Sequence, residues 1–233
     1  DHVADERKES SEAHGRGTTF VPDPRRSLAY RFMRGLLHMA MTFMFRPVVE
    51  GPGRVPEEGP VIIAPVHRSL IDFGFAVYLT DRKMFFIAKD SLWKYKLLGR
   101  FLLAMGAFPV HREAADRAAL QHAQSVLVAG EALVLFPEGT RKDGPEIGEI
   151  LEGATYLSAR LRAPIVPVGV GGSAKAMPVG KKLPRRTKVR LYVGEAIEPP
   201  AENEKGRVPR SVIRERTEEL RASLQDCFDR SSA

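Results

Sequence analysis

The stretch His67-Arg68-Ser69-Leu70-Ile71-Asp72 places an imidazole and a carboxylate together on one short turn of this 233-residue chain. A neutral imidazole takes a proton from a hydroxyl near neutral pH. A carboxylate on its other nitrogen fixes the tautomer and stabilises the imidazolium that forms. Such a base-and-orienter pair lacks the nucleophile of a triad, and it suits attack by a substrate's own hydroxyl on an ester or thioester that is already activated. The competing reading is a capped helix: Ser69 or Asp72 satisfies orphan N–H groups of the first turn, and His67 merely packs nearby. The spacing alone does not decide between them.

The elements that must position this pair are legible around it. Val61-Ile62-Ile63-Ala64 is short, apolar and β-branched, which predicts a buried strand that Pro65 ends. His67 then falls on the loop and Asp72 at the start of the next helix. A second apolar run, Ala132-Leu133-Val134-Leu135-Phe136, leads into Pro137-Glu138-Gly139-Thr140-Arg141. Gly139 permits a sharp turn at a strand end, where α/β proteins place ligands. Arg141 offers a rigid fork of donors suited to phosphate. Glu138 beside it reads equally as half of a surface ion pair, worth about 0–1 kcal/mol. Residues 106–112 form a further apolar run ending in Arg112, and residues 163–170 a strand interrupted by prolines. At this length, with strands alternating with helical patterns, a single α/β domain is expected.

Taken in order, these blocks resemble the glycerolipid acyltransferase family, and within it the 1-acyl-sn-glycerol-3-phosphate acyltransferases. His67 and Asp72 match its His-x4-Asp block, and residues 106–112 its glycine-led stretch ending in arginine. Residues 136–141 match Phe-Pro-Glu-Gly-Thr-Arg without a substitution, and Val166-Pro167-Val168 matches its last block. Lys89-Asp90-Ser91-Leu92 also fits the pattern. Val66 stands where the family commonly has Asn, and His111 where an acidic or amide residue is common. Four ordered blocks over roughly residues 46–195 are far more specific than one motif. The resemblance implies a mixed, largely parallel sheet flanked by helices. It also implies acyl transfer from acyl-CoA or acyl-carrier protein to the free hydroxyl of lysophosphatidic acid, giving phosphatidic acid. His67 would be the general base and Asp72 its orienter. Arg112 and Arg141 would bind the acceptor's phosphate, Glu138 would position the acceptor or the arginine next to it, and Gly139 and Thr140 would shape that loop. The thiol leaves from an activated thioester, so no enzyme nucleophile and no cofactor is needed. Alternatives are another acceptor (glycerol-3-phosphate, another lysophospholipid or a glycolipid), thioester hydrolysis, or a lipid-surface binding protein without catalysis.

Composition narrows the partners. The one cysteine, Cys227, excludes an internal disulfide framework, and no CxxC or HExxH occurs, so no metal is expected. The absence of GxSxG argues against an α/β-hydrolase. A net charge of +7 allows nucleic acid, anionic lipid or phosphorylated substrates. No nucleic-acid signature accompanies the charge, and the basic segment 181–188 has no interleaved aromatics. Residues 1–26 read as a mobile polar tail. Residues 27–45 form an amphipathic pattern: Ser27, Arg31, Arg34, His38 and Thr42 make one narrow polar stripe amid Leu, Met, Phe and Ala. Mid-segment arginines disfavour a spanning helix, so it is expected to lie in the membrane interface, with a core helix as the alternative. Residues 92–103 are a second amphipathic candidate. The expected arrangement is thus a tail (1–26), an interfacial helix (27–45) and an acyltransferase domain (46–233). Its expected place is the cytoplasmic face of a membrane bearing anionic lipid.

Overall fold

In a computed structural model of the chain, residues 27–110, 115–181, 183–202 and 207–233 are described. The expected tail, His111, Arg112 and Lys182 of the basic segment lie outside the described residues. Helix α1 (Ser27–Phe45) leads into strand β1 (Val48–Glu50) and then β2 (Val61–Pro65), which is buried along its whole length. A 3-10 helix (Leu70–Tyr78) connects to β3 (Met84–Lys89). A second 3-10 turn (Asp90–Lys94), α2 (Lys96–Ala104) and β4 (Ala107–Val110) follow. Then come α3 (Ala115–Val128), β5 (Ala132–Val134), α4 (Gly153–Leu161), β6 (Ile165–Gly171) and the short α5 (Ser173–Ala176). Strand β7 (Arg190–Val193) and the long α6 (Arg210–Ser232) complete the series.

The sheet has seven strands in the order β1-β7-β6-β2-β5-β3-β4. All neighbouring pairs run parallel except β6 with β7. This is the expected α/β fold with a mixed, largely parallel sheet. Because helices cover such a sheet on both faces, its central strands read as continuous apolar runs rather than alternating ones. Pro167 sits inside β6 without breaking it. Its carbonyl accepts the N–H of Gly194, outside the β6–β7 register that begins at Val168, so the missing proline N–H falls where no ladder bond is required. Strand β5 stops at Val134, shorter than its apolar run, although Leu135 N–H still bonds to Ile63 O at 3.0 Å.

Helix α1 divides its faces. Tyr30, Met41 and Phe45 are buried in the main core, whereas Leu28, Phe32, Leu36, Met39 and Phe43 are exposed. Its polar stripe is partly an intramolecular contact. Arg34 donates to Val77 O and Thr80 O (2.7 and 2.9 Å) near the end of the first 3-10 helix, where carbonyls lack helical partners. The Tyr78 ring lies tilted against that of His38, and its Oη donates to the His38 carbonyl at 2.8 Å and lies 2.6 Å from Thr42 Oγ1. Among the described residues, no helix is long and apolar enough to cross a membrane. Cys227 is buried on α6 as a small core residue, and burial raises its thiol pKa to about 11.

Candidate active site

Strand β2 ends at the sheet's carboxyl edge, beside β6 on one side and β5 on the other. Val66 N–H still bonds to Val168 O, and the chain then turns away, carrying His67 out of the ladder. The imidazole is partly exposed and stacks on Phe136, with ring centroids 4.1 Å apart. Its Nδ1 lies 3.3 Å from Asp72 Oδ2. Asp72 is buried in the first turn of the 3-10 helix. The same Oδ2 accepts the backbone N–H groups of Arg68 and Ser69, each at 2.6 Å. One oxygen thus both accepts the N–H groups of the turn and contacts the imidazole, the two arrangements that the sequence left as alternatives. With Nδ1 turned to the carboxylate, Nε2 is the imidazole nitrogen left to take a proton.

Ser69 lies inside the same turn. Its side chain is fully buried, and Oγ donates to Met177 O at 2.7 Å, tying the turn to the loop after α5.

The loop after β5 closes over the same turn. Gly139 takes φ +67°, the left-handed conformation that favours glycine, and its N–H bonds to Phe136 O at 3.0 Å. Glu138 does not pair with Arg141. It is buried, and its Oε2 accepts the backbone N–H of His67 at 2.8 Å while both oxygens receive Arg68 Nη1 at 2.5 and 2.7 Å. Thr140 and Arg141 are exposed, and Arg141 has no hydrogen bond or ion pair among the described residues. Arg68, passed over in the motif reading, is thus a central contact of the site. The sequence offered one signal for it, its place next to His67; its burial and its carboxylate partner, 70 residues away, are set by the fold.

His67 and Arg141 both border a cavity of about 730 Å³. The rest of its wall is largely apolar: Leu70 and Phe73 of the 3-10 helix, Phe86 of β3, Leu102 of α2, Leu120 of α3 and Leu157 of α4 contribute. A cleft of this size and lining, with a few convergent polar groups, is the usual form of a small-molecule site. Among the described residues, no three His, Cys, Asp or Glu side chains come together as metal ligands would.

A family model for acyltransferases matches residues 46–171, which include the His67 turn and the loop carrying Arg141. The chain belongs to the acyltransferase family. It is similar to the 1-acyl-sn-glycerol-3-phosphate acyltransferase of Bacillus subtilis, at 27% identity over 169 residues covering 72% of this chain and 82% of that one. It is also similar to the human 1-acyl-sn-glycerol-3-phosphate acyltransferase beta, at 28% identity over 156 residues, 64% of this chain and 55% of that protein. For the Chlamydomonas reinhardtii and Arabidopsis thaliana relatives, the match spans about half of the longer protein, 54% and 46%. The crystal structure of the 1-acyl-sn-glycerophosphate acyltransferase PlsC from Thermotoga maritima superposes with a TM-score of 0.72 at 22% identity, covering 92% of this chain and 85% of that one. That likeness establishes a common fold. This acyltransferase is thus an enzyme of the O-acyl-transferring kind.

Proposed function

We propose that this acyltransferase moves a fatty acyl group from a thioester of CoA or acyl-carrier protein to the free hydroxyl of lysophosphatidic acid, forming phosphatidic acid. One observation carries the reading: His67, held by Asp72, shares the rim of an apolar cavity with Arg141. The cavity suits an acyl chain, the guanidinium a phosphomonoester, and the imidazole the hydroxyl between them. The acceptor oxygen attacks the thioester carbonyl carbon while its proton passes to His67 Nε2. Collapse of the tetrahedral intermediate breaks the C–S bond, and the imidazolium returns the proton to the departing thiolate. The products are one ester and one thiol, with no covalent enzyme intermediate. The names of relatives such as those of Bacillus subtilis, Chlamydomonas reinhardtii and human, each a 1-acyl-sn-glycerol-3-phosphate acyltransferase, support the choice of acceptor.

The enzyme is proposed to work on a membrane surface, on its cytoplasmic face. Supporting this, Leu28, Phe32, Leu36, Met39 and Phe43 recur at helical spacing along the exposed face of α1, and Arg186 of the basic segment lies over the Phe43 ring at 4.8 Å.

The test is an acceptor panel with labelled oleoyl and palmitoyl thioesters: lysophosphatidic acid, glycerol-3-phosphate, a lysophospholipid without a phosphomonoester, and water. Lysophosphatidic acid is expected to be the preferred acceptor, with no thiol release in its absence. For Arg141→Ala, loss of charge-assisted bonds to phosphate should raise the KM for lysophosphatidic acid roughly tenfold or more, with the donor KM unchanged. Equal use of the acceptors with and without a phosphomonoester would sink the assignment.

A further inference from the structure

Arg68 is 1% exposed, and its guanidinium is engaged on every side. Nη1 meets both oxygens of Glu138 at 2.5 and 2.7 Å. Nε donates to Gly144 O and Nη2 to Glu146 O, each at 3.1 Å. The ring of Phe228, on α6, lies against its face at 4.8 Å. The backbone on either side of the His67 α-carbon is fixed to the same loop: His67 N–H donates to Glu138 Oε2 at 2.8 Å, and His67 O accepts Lys142 N–H at 2.9 Å. Arg141 therefore sits between anchors on both sides, at Glu138 and at Lys142, Gly144 and Glu146. Gln225 of α6 reinforces the far end, accepting Ile147 N–H at 2.8 Å.

We propose that Arg68 is a positioning residue that fixes the Arg141 loop relative to the His67 imidazole and so sets the affinity for the acceptor's phosphate. This rests on the reading of Arg141 as the phosphate ligand. Stability alone would not select this arrangement, because a well-packed apolar pair in place of a buried ion pair is often neutral or stabilising. An arginine is needed for geometry. Only its planar fork reaches a carboxylate and two carbonyls on the loop at once, which a lysine ammonium cannot do from one point.

The test is a double-mutant cycle on the full chain, with oleoyl-CoA and lysophosphatidic acid: Arg68→Lys, Arg141→Ala and both together. Arg68→Lys is expected to raise the acceptor KM roughly tenfold while leaving the donor KM unchanged. Added to Arg141→Ala, it should cost less than a further twofold, because both act through one guanidinium. A fully additive effect, or a lowered Tm with an unchanged acceptor KM, overturns the proposal. Should Arg68→Lys not fold, Arg68→Gln, which leaves the Glu138 bond to His67 N–H in place, reads the same quantity: a folded protein with wild-type acceptor KM overturns it, and a raised one supports it. If Arg141→Ala itself leaves the acceptor KM unchanged, the phosphate assignment fails and takes this proposal with it. Additivity alone sinks only the role of Arg68.

Discussion

Asp72 Oδ2 serves the imidazole Nδ1 and two backbone N–H groups at once, so substitutions at His67 and Asp72 should separate chemistry from folding. In the proposed reaction, His67→Ala removes the base and costs about 10²–10⁴-fold in rate. The lost side chain is partly exposed and stacked on one ring, so the thermal midpoint should move little. Asp72→Ala should lower the rate and the midpoint together, since it leaves two buried N–H groups unsatisfied at about 1–3 kcal/mol each. Paired rate and melting measurements on both variants check this; equal thermal losses would contradict it. The His67-Asp72 spacing was legible in the sequence because both groups lie on one turn. That one oxygen both caps and orients was not, since spacing shows proximity but not how many donors a carboxylate collects. Nor was the Glu138–Arg68 pair legible: its members are 70 residues apart, and only the parallel register of β2 with β5 brings them together.

At the scale of elements, the close seat of α6 on β6 depends on glycine. A Cβ on Gly169 would lie 2.0 Å from Cys227 O, on backbone that cannot turn aside as a flexible side chain can. Gly169→Ala should destabilise by roughly 1–3 kcal/mol or more and lower the midpoint by several degrees, read by circular dichroism. Gly35→Ala is the control. Nothing lies within 4 Å of that Cβ, and alanine in mid-helix should hold or raise stability. The strands themselves were legible as apolar runs, because a sheet buried on both faces needs no alternation. The role of α1 was only half legible. Periodicity found its polar stripe, but Arg34, His38 and Thr42 meet carbonyls and a tyrosine from residues 77–80, and local pattern does not reveal such contacts.

For the molecule as a whole, the exposed face of α1 and the cavity are joined through α2. Leu102 lines the cavity, Leu97, Leu98 and Leu103 of the same helix are exposed, and α2 packs beside α1. On the proposed membrane reading, the protein should sediment with vesicles of phosphatidylcholine and phosphatidylglycerol more than with phosphatidylcholine alone. Binding should weaken as salt rises, and Phe32→Glu/Phe43→Glu should abolish most of it. Equal sedimentation with neutral vesicles, or no loss in the double variant, would refute a lipid-facing α1.

The α6–β6 contact also bears on biosynthesis. β6 ends at Gly171, while the helix that covers it ends at Ser232. At 5–20 residues per second, those roughly 60 residues take about 3–12 s to translate, and until then a central apolar strand has no lid. A nascent chain in that interval is a natural client for chaperones, and slowing translation between the two elements should lower the soluble yield without any change in the finished protein.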